Sequence, residues 1–129
     1  MPGSKSDYLE TAVLNWIRGT TMPSAPTTIY LAAFTATPSD AGGGTEVSGG
    51  AYARRPVTLA APSDGQITNS AQVVFADATA DWGTITAIGL FDASTSGNLL
   101  GWATLGTSKV INNGARLVVD AGAFTFAED

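Results

Sequence analysis

Residues 27–56 read Thr-Thr-Ile-Tyr-Leu-Ala-Ala-Phe-Thr-Ala-Thr-Pro-Ser-Asp-Ala-Gly-Gly-Gly-Thr-Glu-Val-Ser-Gly-Gly-Ala-Tyr-Ala-Arg-Arg-Pro. In an extended chain Ile29, Leu31 and Ala33 fall on one side and Tyr30, Ala32 and Phe34 on the other, so both faces are apolar. A strand of that kind is covered on both sides, which places it centrally in a sheet. Pro38 breaks it. The five glycines between Gly42 and Gly50 offer no side chain to pack, and the segment reads as a surface loop. Its expected purpose is a flexible crossing that carries Tyr52, Arg54 and Arg55 to the surface or to a subunit contact.

Upstream, Ser6 or Asp7 can cap a helix with Glu10 returning the hydrogen bond. Leu9, Val13, Trp16 and Ile17 then follow at i, i+4, i+7 and i+8, one stripe of a 3.6-residue period, and Gly19 ends the run. A helix of about 12 residues is marginal alone and must dock. Docking on its own β domain would bury Trp16 and Ile17; the other outlet is a contact with another chain. The prolines of Met22-Pro23-Ser24-Ala25-Pro26 block both helix and ladder, so residues 1–26 are expected to be an amphipathic helix with a linker and residues 27–129 a β domain.

Downstream the pattern is β throughout. Expected strands are Thr28 to Phe34, Arg55 to Ala60, Gln66 to Ser70, Val73 to Ala76, Ile85 to Phe91, Leu99 to Leu105, Lys109 to Ile111, Ala115 to Ala121 and Ala123 to Phe126, separated by turn chemistry at Pro62-Ser63-Asp64-Gly65, Asn69-Ser70, Trp82-Gly83, Ser94 to Asn98, Gly106 and Asn112-Asn113-Gly114. Asn113-Gly114 is the best type I′ hairpin signal. The fold class is therefore all-β with one short N-terminal α-helix, an antiparallel β-sandwich of jelly-roll-like or Greek key connectivity. Trp82 and Trp102 read as core anchors.

Composition removes most chemistry. The 129 residues suffice for about one domain, and their 44% hydrophobic content for a modest core. Charged residues are only 13%, about half the usual share, so much of the surface is uncharged and suited to packing against neighbours. A net charge of −5 with dispersed basic residues disfavours nucleic acid. Without cysteine there is no disulfide or thiolate, and without histidine the commonest base and metal ligand is missing. No run approaches a membrane span and no leader pattern opens the chain, so a soluble protein is expected. No Gly-Lys-Ser/Thr follows the glycine loop, which excludes a phosphate cradle. Asp77 and Asp81 hint only weakly at calcium, and nothing selects a catalytic carboxylate pair; no enzyme activity, cofactor or metal is expected.

The ordered motifs Ser6-Asp7-Tyr8-Leu9-Glu10 with Asn15 and Arg18-Gly19-Thr20, Ile29-Tyr30-Leu31-Ala32, Thr37-Pro38-Ser39-Asp40-Ala41-Gly42, Thr45-Glu46-Val47-Ser48-Gly49-Gly50 with Tyr52-Ala53-Arg54, Ala80-Asp81-Trp82-Gly83-Thr84 and Gly89-Leu90-Phe91-Asp92-Ala93 run through nearly the whole chain. In that order they resemble small structural proteins of tailed bacteriophages, commonly labelled tail fibre proteins. The resemblance implies a virion protein made in the host cytoplasm. Its partners would be copies of itself, expected as a homotrimer, and virion proteins such as the major capsid protein or tail proteins. A chain of this length without repeats or heptads makes a compact oligomeric module rather than a long fibre. A small, acidic, catalytically empty sandwich suits a capsid decoration or cement protein; a tail or tail-fibre component is the alternative. A carbohydrate-binding module, with Trp82, Trp102 or Tyr52 stacking on sugars, is the alternative of another class. Candidate subunit or virion contacts are Trp16, Ile17, Tyr52, Arg54 and Arg55.

Overall fold

The computed structural model describes residues 4–127. In chain order the elements are β1 (Ser4–Lys5), α1 (Asp7–Ile17), β2 (Ile29–Ala36), β3 (Thr45–Glu46), β4 (Arg55–Val57), β5 (Gln66–Thr68), β6 (Val73–Val74), β7 (Gly83–Phe91), β8 (Leu99–Ile111), β9 (Val118–Val119) and β10 (Thr125–Ala127). A six-stranded antiparallel sheet runs β1-β8-β7-β2-β3, with β4 also paired to β2. Two antiparallel ribbons, β5 with β10 and β6 with β9, supply the second layer of a sandwich-like fold.

β2 is central because its sequence permits nothing else. Leu31 and Ala33 enter the main core with Ile88 and Leu90 of β7, closed from the other layer by Phe75, Val119 and Phe124. Ala32 and Phe34 enter a smaller cluster on the opposite face with Ala87 and Phe91. Phe34 and Phe91 stack at 6.1 Å between centroids, and Gly89 makes room for them: a Cβ there would lie 2.6 Å from Phe34 Cε1.

The helix starts as its sequence directs but not with the expected reciprocal cap. Ser6 Oγ accepts from the Leu9 amide at 3.2 Å. The Ser6 amide, however, donates to Leu100 O at 2.9 Å, so Glu10 has no such bond to return. Gly19, at φ +98°, closes α1: its amide donates to Trp16 O and that of Thr20 to Asn15 O, the two bonds of a Schellman cap.

Three expectations about strands need correction. Gly106 is not a turn; β8 runs through it as one thirteen-residue strand, and the irregularity is a bulge, since Ile85 pairs with Lys109 while Ala87 pairs with Thr104. Asn113-Gly114 is a turn but not a hairpin. Gly114 alone has positive φ (+87°), and the chain beyond it crosses to the other layer, where Ala115 O and Leu117 O accept from the amides of Ala78 and Phe75. The glycine loop is not strandless: Thr45–Glu46 pairs with Phe34 and Ala36. Gly44 permits the return, because a Cβ on it would sit 2.5 Å from Ala36 O.

Asn69, 1% exposed, joins the two ends of the second layer. Its Nδ2 donates to Ala71 O and Asp120 O at 3.0 and 2.8 Å, and its Oδ1 accepts from the Phe124 amide at 2.9 Å. Asn69→Leu keeps the branching of the side chain but strands a buried amide and two carbonyls, and is expected to cost about 2–3 kcal/mol. Asn69→Asp keeps the amide contact and turns an anion toward two carbonyls, so it should be at least as damaging at neutral pH. Urea unfolding measures both; wild-type stability in either variant would contradict this role for Asn69.

Candidate functional site

Arg54 sits where the glycine loop returns to the sheet. Its Nε and Nη2 donate to Glu46 Oε2 and Oε1, both at 2.8 Å, and Nη1 donates to Ala93 O and Ser96 O at 2.9 and 2.7 Å. The guanidinium carbon lies 3.6 Å from the centre of the Phe91 ring. Arginine suits this position because its flat fork can chelate a carboxylate while stacking on an aromatic face. Tyr52 completes the group: its hydroxyl donates to Glu46 Oε2 at 2.6 Å and accepts from the Ala33 amide at 3.0 Å. Its ring packs on Phe75 and edge-on to Trp82, whose indole nitrogen donates to Gly50 O at 2.9 Å.

Burial alone would raise the Glu46 carboxyl, but the hydrogen bonds from Arg54 and Tyr52 outweigh it and hold the group below its ordinary value. Tyr52 moves the other way, raised by burial and by its bond to Glu46, so it stays a proton donor. This is a fixed ion pair braced by a phenol, with four of the five guanidinium N–H groups and the phenol hydrogen engaged. It acts as a clasp.

Beside the clasp lies an open groove of about 560 Å³ between the start of α1, Gly42 to Gly44, Glu46 and the Gly97 to Leu99 turn, floored by Phe34 and Phe91. Both floor residues are buried, and the Arg54 guanidinium already lies over the Phe91 ring. Asp7 and Asp40 stand on its rim with Glu10 close by; their carboxylate oxygens lie within 4.8 Å of one another. Desolvation, followed by repulsion from Asp40 and Asp7, raises Glu10 above the usual carboxylate range. Among the described residues no other group of acids has metal-ligand proximity. The calcium hint at Asp77 and Asp81 resolves into loop fastening: Asp77 pairs with Arg116 Nε at 2.7 Å and Asp81 accepts from the Asn113 amide at 2.7 Å.

The five candidate contact residues separate into two sets. Tyr52 and Arg54 face inward and are committed to the clasp, the Arg54 side chain being only 7% exposed. Arg55 is at the surface with Nε bound to Val74 O at 2.9 Å. Trp16 and Ile17 are 61% and 68% exposed, not buried by docking at home. The helix does dock, through Ala12 and half-buried Leu9, but its last turn projects beyond the body. Leu14, 64% exposed, belongs to the same projection and was legible only as a second stripe with Ile17. Glu46 was the missed partner of Arg54; a lone acid between glycine pairs carries no pattern that points to it. Trp82 is buried, and the half-buried Trp102 has its indole nitrogen enclosed without an acceptor among the described residues. Trp82 therefore offers no open sugar platform.

The clasp makes stability pH-dependent in a definite sense. Because Glu46 is depressed in the folded chain, its contribution is complete above the ordinary value of 4.5 and is lost as pH falls through the lower folded value. Glu46→Gln should therefore flatten part of the acid limb of stability between about pH 5 and 2. Arg54→Met keeps the stem over Phe91 but leaves Glu46 unpaired, and should cost about 3 kcal/mol at pH 7. Urea unfolding across that pH range tests both; an unchanged acid limb in Glu46→Gln would refute the assignment.

Comparison with curated proteins gives no match. The profile of one protein family, Gp80, described as podophage GP4 fiber I protein gp80, matches residues 4–127. That span contains the helix, the sheet, the clasp and both ribbons. A phage fibre protein is part of the virion and associates with other virion proteins, consistent with a site that fastens rather than reacts. With nearly its whole length inside the match, the chain belongs to the podophage fiber I protein gp80 family and is a structural component of a phage virion.

Proposed function

We propose that the chain is a non-enzymatic building unit of the tail fibre, joined to its neighbours through the projecting end of α1. The observation that carries this reading is the exposure of Leu14, Trp16 and Ile17 together, at 64%, 61% and 68%, on a chain whose other large apolar side chains mostly pack inside. Leu14 and Ile17 share one side of the helix and Trp16 lies on another, so the last turn is apolar and exposed around much of its circumference, which marks a contact. The residues from Thr11 to Ile17 carry no charge that would oppose desolvation. The family description favours the fibre over capsid decoration, although a compact sandwich would suit either place. Trimeric assembly is compatible with this surface but not required by it.

Trp16→Ser and Ile17→Ser touch little in the isolated chain, so stability should change by no more than about 0.5 kcal/mol. Incorporation into particles should fall by about tenfold, the effect of losing a buried aromatic or aliphatic anchor. Phage lacking the native gene, complemented with each variant and analysed by quantitative mass spectrometry, gives the answer. The same measurement on wild-type particles separates the two locations: few copies at one vertex for a fibre, hundreds for a shell decoration. Normal incorporation of both variants would remove α1 as the contact.

A further inference from the structure

The exposed stripe of α1 has a sequence that is complementary to itself. Glu10, Leu14, Ile17 and Arg18 follow at i, i+4, i+7 and i+8 and line one side of the helix. Leu14 and Ile17 are its apolar middle, 64% and 68% exposed. Its ends have opposite charge, and they lie four residues either side of Leu14. At the N-terminal end Glu10 is crowded by Asp7 and Asp40, with oxygens within 4.8 Å, and Lys5 is near enough to offset part of that repulsion. At the other end Arg18 is exposed, its Nη1 donating to Asn15 Oδ1 at 3.3 Å. Leu9 and Ala12, on another side of the helix, meet the body, so the stripe is exposed from Leu14 to Arg18 and half-exposed at Glu10.

We propose that a second copy of the chain occupies this stripe, with the two α1 helices packed antiparallel about a two-fold axis at Leu14 and Glu10 of each copy facing Arg18 of the other. The arrangement deepens the reading of α1 as the assembly surface by naming the partner, and it rests on that reading. A two-fold contact brings one patch against itself, so each position must tolerate its symmetry mate. Leucine against leucine does so, and acid against base does so twice. A parallel pairing would set Glu10 against Glu10 and add to the acidic crowding already present. Antiparallel packing places Arg18 of the partner copy beside that crowd instead. The contact is short, about three turns of helix, so pairing is weak for free chains and strengthened where a fibre holds copies at high local concentration.

The full chain lends itself to a direct test because it has no cysteine. Leu14→Cys should give a covalent dimer under mild oxidation, since the axis brings the two positions together, whereas Thr58→Cys, exposed elsewhere, should not. In sedimentation equilibrium, Arg18→Glu and Glu10→Arg should each weaken dimerisation about tenfold, and the double exchange Glu10→Arg with Arg18→Glu should restore it to within about threefold. Far-ultraviolet circular dichroism confirms that α1 persists in each variant. An oligomer indifferent to both single exchanges, or a Leu14→Cys variant that never cross-links, overturns the proposal. So does a wild-type monomer at all concentrations; if incorporation into particles still depends on Trp16 and Ile17, the contact is with a different virion protein and the reading of α1 as an assembly surface survives.

Discussion

The pairing of Arg54 with Glu46 over the Phe91 ring is the interaction on which the rest of the sheet depends. β2 is apolar on both faces and needs both edges occupied, but β7 supplies only one of them. The other edge is taken by β3 and β4, together five residues of regular strand, reached through a segment with five glycines. Such a segment loses much backbone entropy on ordering and has little apolar surface to offset it. Arg54 offsets part of that loss with four hydrogen bonds and an aromatic contact, and Tyr52 ties the same carboxylate to the Ala33 amide in the middle of β2. The clasp also reaches Ala93 O and Ser96 O, so the turn between β7 and β8 is held by the same guanidinium.

A charged group can do this here because it is placed at the boundary of the small cluster rather than inside it. The Arg54 side chain is 7% exposed and that of Glu46 is 25% exposed, so the pair is desolvated enough to matter and wet enough to avoid the full penalty of burial. Beneath it, Ala32, Ala87 and Gly89 keep the sheet surface low, which lets Phe34 and Phe91 lie flat and present one ring to the guanidinium. The small-residue composition that made the sequence look featureless is thus what gives the arginine a surface to stack on.

How far the sequence disclosed this follows from the range of the forces involved. Alternation from Ile29 to Phe34 is local and decided the central strand correctly. So did the cap at Ser6 and the glycine at the end of α1. What failed was pairing. Asn113-Gly114 has local turn chemistry, but whether the arms of a turn pair with each other depends on competing partners, and Ala78 and Phe75 in the other layer claimed Ala115 and Leu117. Gly106 looked like punctuation because a bulge and a turn draw on the same residue. Arg54 and Arg55 were equivalent in the sequence, and only the distant Ala93, Ser96 and Phe91 turned the first inward and left the second at the surface. The contact reading of Trp16 and Ile17 came from periodicity, yet periodicity could not say where the body ends; the stripe is continuous, and only its first part meets the sheet.

That last point bears on how a weakly charged chain controls its associations. With 13% charged residues, this protein has few means of repelling wrong neighbours over its surface. Its exposed apolar side chains are therefore better gathered on one rigid projection than scattered. α1 meets that need, because Ser6 fixes its start, the Schellman bonds at Gly19 and Thr20 fix its end, and the body holds its first half. The projecting turn is then ordered before any partner arrives, and binding need not repeat the entropy cost of forming the helix. Opposite charges at the two ends restrict which direction a partner helix can take, so the small charge complement is concentrated where it gives orientation. The clasp commits one of only six basic residues to fastening the loop to the sheet, and none of its bonds involves the exposed last turn of α1.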